Sequence, residues 1–441
     1  MLKTFKGGIH PPYNKELTMS KAVEKAALPK KVIIPMGMHI GAPCEPIVKV
    51  GDTVKKGQKI GEAKGFVSVP AHASISGKVT AVEPRPWPGG SLMMSVVIES
   101  DGRDEVYEDI TPPKPLSELS PEEIKNLIRE AGITGMGGAG FPTQVKLSFP
   151  PEKNVDTIIV NGAECEPYIT ADHRLLLEQP EDVVLGLEAI MKATGIKQAF
   201  IGIEDNKLDA VEAVKSALKG KAGIEVVVLA TKYPQGGEKQ LIKAVTGREV
   251  PSGGLPMDAG VIVNNAGTCA AVANVLKTGM PLIERITTVT GSGVMEPKNL
   301  LIRIGTPLID LIEQCGGFKG RPGKVLMGGP MMGLAQSVID VPAIKGTTGL
   351  LVLERDDVKL FEPMPCIKCA RCVDACPIKL LPTTIAKLAE RKMWDEAENY
   401  HAMDCIECGC CSYVCPAHIP LTQHIRIAKS NIIAMRKKNN K

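Results

Sequence analysis

Cys366-Ile-Lys-Cys369-Ala-Arg-Cys372-Val-Asp-Ala-Cys376-Pro377 is followed, after a spacer, by Cys405-Ile-Glu-Cys408-Gly-Cys410-Cys411-Ser-Tyr-Val-Cys415-Pro416. Each half carries the spacing C-x2-C-x2-C-x3-C-P, which suits a pair of [4Fe-4S] clusters. Three thiolates on one tight loop reach three irons of a cube, whereas the fourth points away and serves the other cube. The assignment is therefore crossed. Cys366, Cys369, Cys372 and Cys415 belong to the first cluster; Cys405, Cys408, Cys411 and Cys376 belong to the second. Cys410 falls outside the spacing and is left over.

The same run occurs in bacterial two-cluster ferredoxins. Zinc is the first alternative, but it takes four cysteines in a C-x2-C…C-x2-C arrangement and has no use for the third cysteine of each run. Disulfides are the second, and they fit poorly with thirteen cysteines and no secretory signal.

At 441 residues the length points to about three domains. Hydrophobic residues make up 44%, enough for sizeable cores, while Gly and Pro number 44 and 34 and imply many turns. The net charge of +4 is too small to argue for a nucleic-acid partner. The only basic run is Arg436-Lys437-Lys438-Asn-Asn-Lys441, so residues 431–441 read as a basic, solvated tail, with contact to anionic lipid or a partner as the alternative. No stretch reaches 18 uninterrupted apolar residues, and Lys3 and Lys6 are followed by no apolar signal-peptide core. Oxygen-sensitive clusters and free thiols point to a reducing cytoplasm.

Residues 1–30 read as an arm with a helix expected around Thr18–Ala27. From Lys31 to about residue 110, short β-branched runs broken by Gly-Asp and Ser-Gly turns indicate an all-β module. Its pattern resembles the barrel-sandwich hybrid of biotinyl and lipoyl domains. Lys64 sits where those domains carry their prosthetic group but lacks the flanking residues of either attachment motif, and reads as an ordinary exposed lysine. Thr111-Pro-Pro-Lys-Pro115 reads as a stiff linker.

A helix opening on Ser120-Pro-Glu-Glu123 then leads into Gly135-Met136-Gly137-Gly138-Ala-Gly140-Phe141-Pro-Thr. The G-x-G-x-x-G inside this stretch follows a helix and meets a proline, so it is not a dinucleotide fingerprint, which must follow a strand and open a helix. It remains a loop whose backbone can approach a phosphate or a flat ring closely. Strands and helices alternate from Thr157 to Lys277, the pattern of an α/β domain with a parallel sheet (residues 116–283). Residues 284–350 read as a small α+β unit, in which Met331-Met332 is taken for packing. The cluster unit, 355–430, is expected to be mostly helical, with helical periodicity over Leu381–Ala402.

Gly137-Gly-Ala-Gly-Phe-Pro-Thr with Lys146-Leu-Ser-Phe149 resembles the flavin loop of the NADH-oxidising subunit of respiratory complex I. Asn161-Gly-Ala-Glu164-Cys-Glu166-Pro, Tyr233-Pro-Gln-Gly236-Gly-Glu238 and Asn264-Asn265-Ala-Gly-Thr268 resemble further motifs of that subunit. The segment from Val289 resembles its β-grasp unit. The full order, with Phe5-Lys-Gly-Gly-Ile-His-Pro-Pro12 at the start, is similar to the C subunit family of Rnf ion-translocating ferredoxin:NAD+ oxidoreductases.

That resemblance implies a multidomain α/β and α+β chain: barrel-sandwich hybrid, complex I flavoprotein-like domain, β-grasp unit and helical two-cluster ferredoxin domain. It implies FMN held by Gly137, Gly138, Gly140, Lys146, Asn161, Glu164, Tyr233, Gly236, Asn264 and Asn265, and NAD(H) faced by Phe141, Phe149, Glu166 and Glu238. Electrons would pass between the two [4Fe-4S] clusters, FMN and NAD(H). The partners would be the other subunits of a membrane-bound complex, including a ferredoxin-like iron–sulfur subunit, with the chain peripheral on the cytoplasmic face of the inner membrane. Three positions depart from the complex I loop: Met136 stands for an arginine, Ala163 for an aspartate and Gly237 for a glutamate. Two other readings share the motifs, a cobalamin reductase of the diol-utilisation type and an iron–sulfur electron wire lacking flavin.

Overall fold

The α/β unit is built on four parallel strands in the order Ile224–Leu229, Gln198–Glu204, Thr157–Gly162, Val261–Asn265. The structure, a computed structural model, describes residues 2–138 and 140–439; Ala139 of the glycine loop lies outside them. The two central strands are apolar on both faces, as strands covered by helices on each side must be. Helices Pro180–Thr194 and Ala266–Thr278 pack against one another through Gly186, where a Cβ would collide with the Cys269 carbonyl oxygen. The helix Pro121–Glu130 begins as its sequence indicates: the Ser120 hydroxyl accepts from the Glu123 N–H, and the Glu123 carboxylate accepts from the Ser120 N–H. Ala171–Glu178 forms a further helix, with Thr170 at its N-cap making no side-chain capping bond and Asp172 in its first turn.

The all-β module pairs Lys31–Pro35, Leu92–Ser100, Gly77–Pro86 and Thr53–Val54 in one antiparallel sheet and Glu45–Pro46, Lys59–Glu62 and Ala71–His72 in another. Lys64 is an exposed lysine 2.8 Å from Glu45. The β-grasp unit forms a mixed sheet whose central strands are Lys298–Arg303, Glu284–Thr290, Gly349–Glu354 and Pro322–Met327. The cluster unit is helical, but the expected run over Leu381–Ala402 is broken. Lys392 turns left-handed (φ 58°) between Pro382–Glu390 and Trp394–Asn399. Arg436, Lys437 and Lys438 are not a loose tail: they form the last turn of the helix Leu421–Asn439, where Arg436 pairs with Glu398.

The arm corrects a second expectation. Thr18–Ala27 is not helical; Val23–Lys25 is a strand that pairs in parallel with Lys298–Arg303 and forms the edge of the β-grasp sheet. Ahead of it, residues 3–9 run as a strap across two units, the parallel-sheet unit and the cluster unit. Lys3 pairs with Leu229 at the edge of the parallel sheet, and Ile9 exchanges both backbone hydrogen bonds with Tyr233. The Gly8 N–H donates to the Ala375 carbonyl, beside a cluster cysteine. Among the described residues no helix is long and apolar enough to cross a membrane.

Candidate functional site

In a parallel sheet, ligands bind beyond the carboxyl ends of the strands, where the strand order reverses. Here the chain moves outward from Thr157–Gly162 through the next two strands, then returns to place Val261–Asn265 on the opposite side. The reversal therefore lies between these two strands, and Asn161 and Asn265 are register partners at its mouth. Two motifs far apart in sequence, one carrying Asn161 and Glu164 and the other Asn264 and Asn265, thus meet at this one edge.

The glycine loop lies over that edge. A Cβ on Gly137 would come 2.6 Å from Asn265 Nδ2, so only glycine admits this approach, whereas Gly138 has open space around it. Gly140 takes a left-handed φ of 70° and its carbonyl accepts from the Ile40 N–H of the all-β module. On the short helix Thr143–Leu147, Lys146 reaches back so that its Nζ donates to the Val263 carbonyl at 2.7 Å. Burial lowers the Lys146 pKa, and the nearby Glu238 carboxylate opposes the shift. Glu238 is exposed in the first turn of Glu238–Thr246. Phe141 and Phe149 are half-buried, the latter packed on the main core.

Several expected contacts are spent on shaping the site. Asn161 Nδ2 donates to the Gly236 carbonyl, and its Oδ1 accepts from the Ala163 N–H. A Cβ on Gly236 would collide with the Ala163 carbonyl oxygen. Glu164 caps the helix Ala171–Glu178, accepting from the N–H groups of Asp172 and His173. Asn265 Nδ2 donates to Asp172 at 2.6 Å, while its Oδ1 caps Ala266–Thr278. Asp172 belongs to none of the sequence motifs; burial, and then the neighbouring Glu164, push its pKa up to about 7.

Two residues sit differently from their expected roles. The Tyr233 hydroxyl is buried and donates to the Cys408 carbonyl at 2.8 Å, so its tip faces the second cluster loop. The Glu166 carboxylate accepts from the N–H groups of Met332 and Met331, at 2.8 and 3.1 Å. Its pKa is pushed up to about 7 by burial. The Met331-Met332 stretch, expected to serve packing, thus also offers its backbone to Glu166.

The residues present fit a flavin mononucleotide. Among the described residues Asn264 Nδ2 is buried without a hydrogen-bond partner and Lys146 offers a cation bonded to one carbonyl, while Gly138 leaves room above the strand ends. The cysteines gather into two cavities. One is lined by Cys366, Cys369, Cys372 and Cys415. The other is lined by Cys376, Cys405, Cys408 and Cys411, together with Cys410. Each takes three cysteines from one run and the fourth from the other, the donor set and count a [4Fe-4S] cluster requires. Left-handed residues Lys368, Ala370, Glu407 and Gly409 make the turns that fold each run around its cavity.

Four domain families match the chain in succession: the RnfC barrel sandwich hybrid domain over residues 3–103, the Nuo51 FMN-binding domain over 128–274, the SLBB domain over 286–335 and the 4Fe-4S dicluster domain over 365–419. The C subunit of the Na+-translocating ferredoxin:NAD+ oxidoreductase complex of Acetobacterium woodii is 55% identical, over 99% of both chains. This chain belongs to the C subunit family of ion-translocating oxidoreductase complexes. Within that family, the C subunit of the proton-translocating complex of Clostridium ljungdahlii is 52% identical over 98% of this chain and 94% of its own. The C subunit of the ion-translocating complex of Pseudomonas aeruginosa is 43% identical over 99% of this chain but 57% of its own length. An NAD+-reducing [NiFe]-hydrogenase shares the fold, with a TM-score of 0.50 and 18% identity over 71% of this chain and 63% of that one.

Proposed function

We propose that the chain is the flavin- and cluster-bearing electron-transfer subunit of a ferredoxin:NAD+ oxidoreductase complex, docked peripherally on the cytoplasmic face of the inner membrane. The observation that carries this reading is the convergence of the Asn161, Asn264 and Asn265 motifs with the glycine loop at the strand-order reversal, beside a cysteine cavity. FMN held here would supply the conversion between a two-electron hydride at nicotinamide and single electrons at a cluster, which neither partner performs alone. Gly137, Gly138 and Gly140 lend it a backbone cradle, Lys146 a cation for its phosphate, and Asn264 an unused amide. Asn161, Glu164, Asn265 and Gly236 hold the walls. Glu238, exposed at the rim, faces NAD(H), and the half-buried Phe141 and Phe149 flank the loop on which the dinucleotide rests.

The second cluster loop lies against the flavin domain through Tyr233 and Gln240, which donate to the carbonyls of Cys408 and Pro377. The first cluster lies further out, with Cys369 exposed. In this reading the second cluster stands between flavin and first cluster, and the more exposed first cluster would exchange electrons with a ferredoxin-like partner subunit. The test is flavin and iron analysis of anaerobically purified chain, followed by NADH addition. About eight irons, one FMN and bleaching of the cluster absorbance are expected. Full iron without flavin or bleaching would reduce the chain to an electron wire.

A further inference from the structure

Arg285, on the β-grasp strand Glu284–Thr290, is 3% exposed. Every hydrogen bond it makes among the described residues ends on a main-chain carbonyl: Nε on Ile286, and Nη1 on both Met136 and Lys345. A buried guanidinium is costly unless paired, and carbonyls neutralise none of its charge. Asp172 and Glu164 act on it through their charge, but among the described residues no carboxylate pairs with it directly; Asp172 bonds Asn265 and Glu164 caps a helix instead.

Its position accounts for the arrangement. Met136 opens the turn that carries Gly137 and Gly138, and it is gripped on both sides. Its N–H donates to Thr268 Oγ1 at 3.0 Å, and its carbonyl accepts from Arg285 at 3.1 Å. Met136 itself is buried and apolar, so its own side chain brings no charge to the loop. The guanidinium that grips the loop at Met136 comes from another unit, across 149 residues of chain.

We infer that Arg285 is the positioning residue of the flavin loop, fixing the Met136 carbonyl so that Gly137 and Gly138 are set for the flavin and adding a positive field that favours the more negative, reduced form. This rests on the flavin reading above. Charge acts over longer distances in a buried setting than in water, so the guanidinium need not touch the ligand to bias it.

The test uses the full chain with both clusters in place, stripped of flavin and titrated with FMN, in the wild type, Arg285→Met and Arg285→Lys. Flavin midpoint potential is then measured on reloaded protein, with iron content and melting as controls. Arg285→Met is expected to weaken FMN at least tenfold and to lower the midpoint. A tenfold loss of preference for the reduced form is about 30 mV for a two-electron couple. Arg285→Lys keeps the charge but not the fork, and is expected to weaken FMN several-fold while holding the wild-type midpoint. Unchanged affinity and midpoint in Arg285→Met would overturn the inference, and so would weaker binding with no change in midpoint. If Arg285→Met fails to fold, a lowered midpoint in Arg285→Lys overturns it, and a held midpoint with weakened FMN supports it. Failure of the wild type to bind FMN would instead overturn the flavin reading.

Discussion

At the scale of single residues, Glu166 marks the limit of motif reading. Its motif, Glu164-Cys-Glu166-Pro, suggests a nucleotide contact, yet the carboxylate is held by the N–H groups of Met331 and Met332, 165 and 166 positions away. Nothing in the local sequence announces a backbone donor from a different unit. NADH titrations should therefore separate the two glutamates. Glu238→Gln is expected to weaken NADH roughly ten- to a hundredfold, the value of a hydrogen bond to a charged group at about 1.5–3 kcal/mol. Glu166→Ala is expected to leave NADH affinity close to wild type. Equal losses in the two variants would return Glu166 to the nucleotide. Glu166 also carries a pH signature. Burial raises its pKa from 4.5 to about 7, so the folded chain keeps a proton that the unfolded chain has released. Its contribution to stability is present below about pH 4.5 and is lost as pH rises toward 7. Thermal unfolding of Glu166→Ala at several pH values should show a shallower decline over that window than wild type. The cysteines are far more legible, because their spacing alone dictates which thiolate points away. Cys376→Ser should damage the cluster of the Cys405–Cys411 loop, leaving the signal of the first cluster, as read by iron content and EPR. Loss confined to the Cys366 cluster would sink the crossed assignment.

Among elements, periodicity reads well wherever packing is local. The parallel strands and their helices fall where alternation places them, and Ser120 opens its helix with the expected reciprocal bonds. It fails where an element owes its form to a distant partner. Val23–Lys25 is extended because Asn299–Leu301 is there to receive it. Ala171–Glu178 is helical with its first turn held by Glu164 rather than by a local cap. Close approaches are also invisible to periodicity. Gly186→Ala would drive a methyl group into the Cys269 carbonyl and wedge two helices apart, at an expected cost of roughly 1–3 kcal/mol in thermal or denaturant unfolding. Gly7 is similar at the strap: φ is 80°, and a Cβ would stand 2.7 Å from the Cys376 carbonyl oxygen. Gly7→Ala should lower iron retention in the second cluster selectively; equal iron in mutant and wild type would show that the strap is dispensable there.

For the whole molecule, the order of units along the chain is readable from motifs, whereas their mutual arrangement is not. The flavin motifs could not reveal that the all-β module bonds the glycine loop through Ile40, or that the β-grasp unit supplies Arg285 beneath it. The two clusters differ in exposure in the same way. The first has exposed Cys369, half-buried Cys366 and Cys415 and buried Cys372, whereas the second has half-buried Cys376 and Cys405 and buried Cys408 and Cys411, with none exposed. Brief exposure of the reduced protein to air, followed by EPR, should therefore show the first cluster destroyed before the second. The opposite order would contradict the outward placement of the first.

The strap also bears on how the protein is made. Residues 3–9 leave the ribosome early, but Gly8 has its partner at Ala375, hundreds of residues further along the chain. The opening segment must wait, unattached at that point, while the intervening units are synthesised and folded. Its final seating against the cysteine loop is a late event by necessity, since such a contact closes a very long stretch of polypeptide into one loop. Strap closure needs Ala375 and completion of either cluster needs cysteines beyond it, so neither can precede synthesis of the cluster unit.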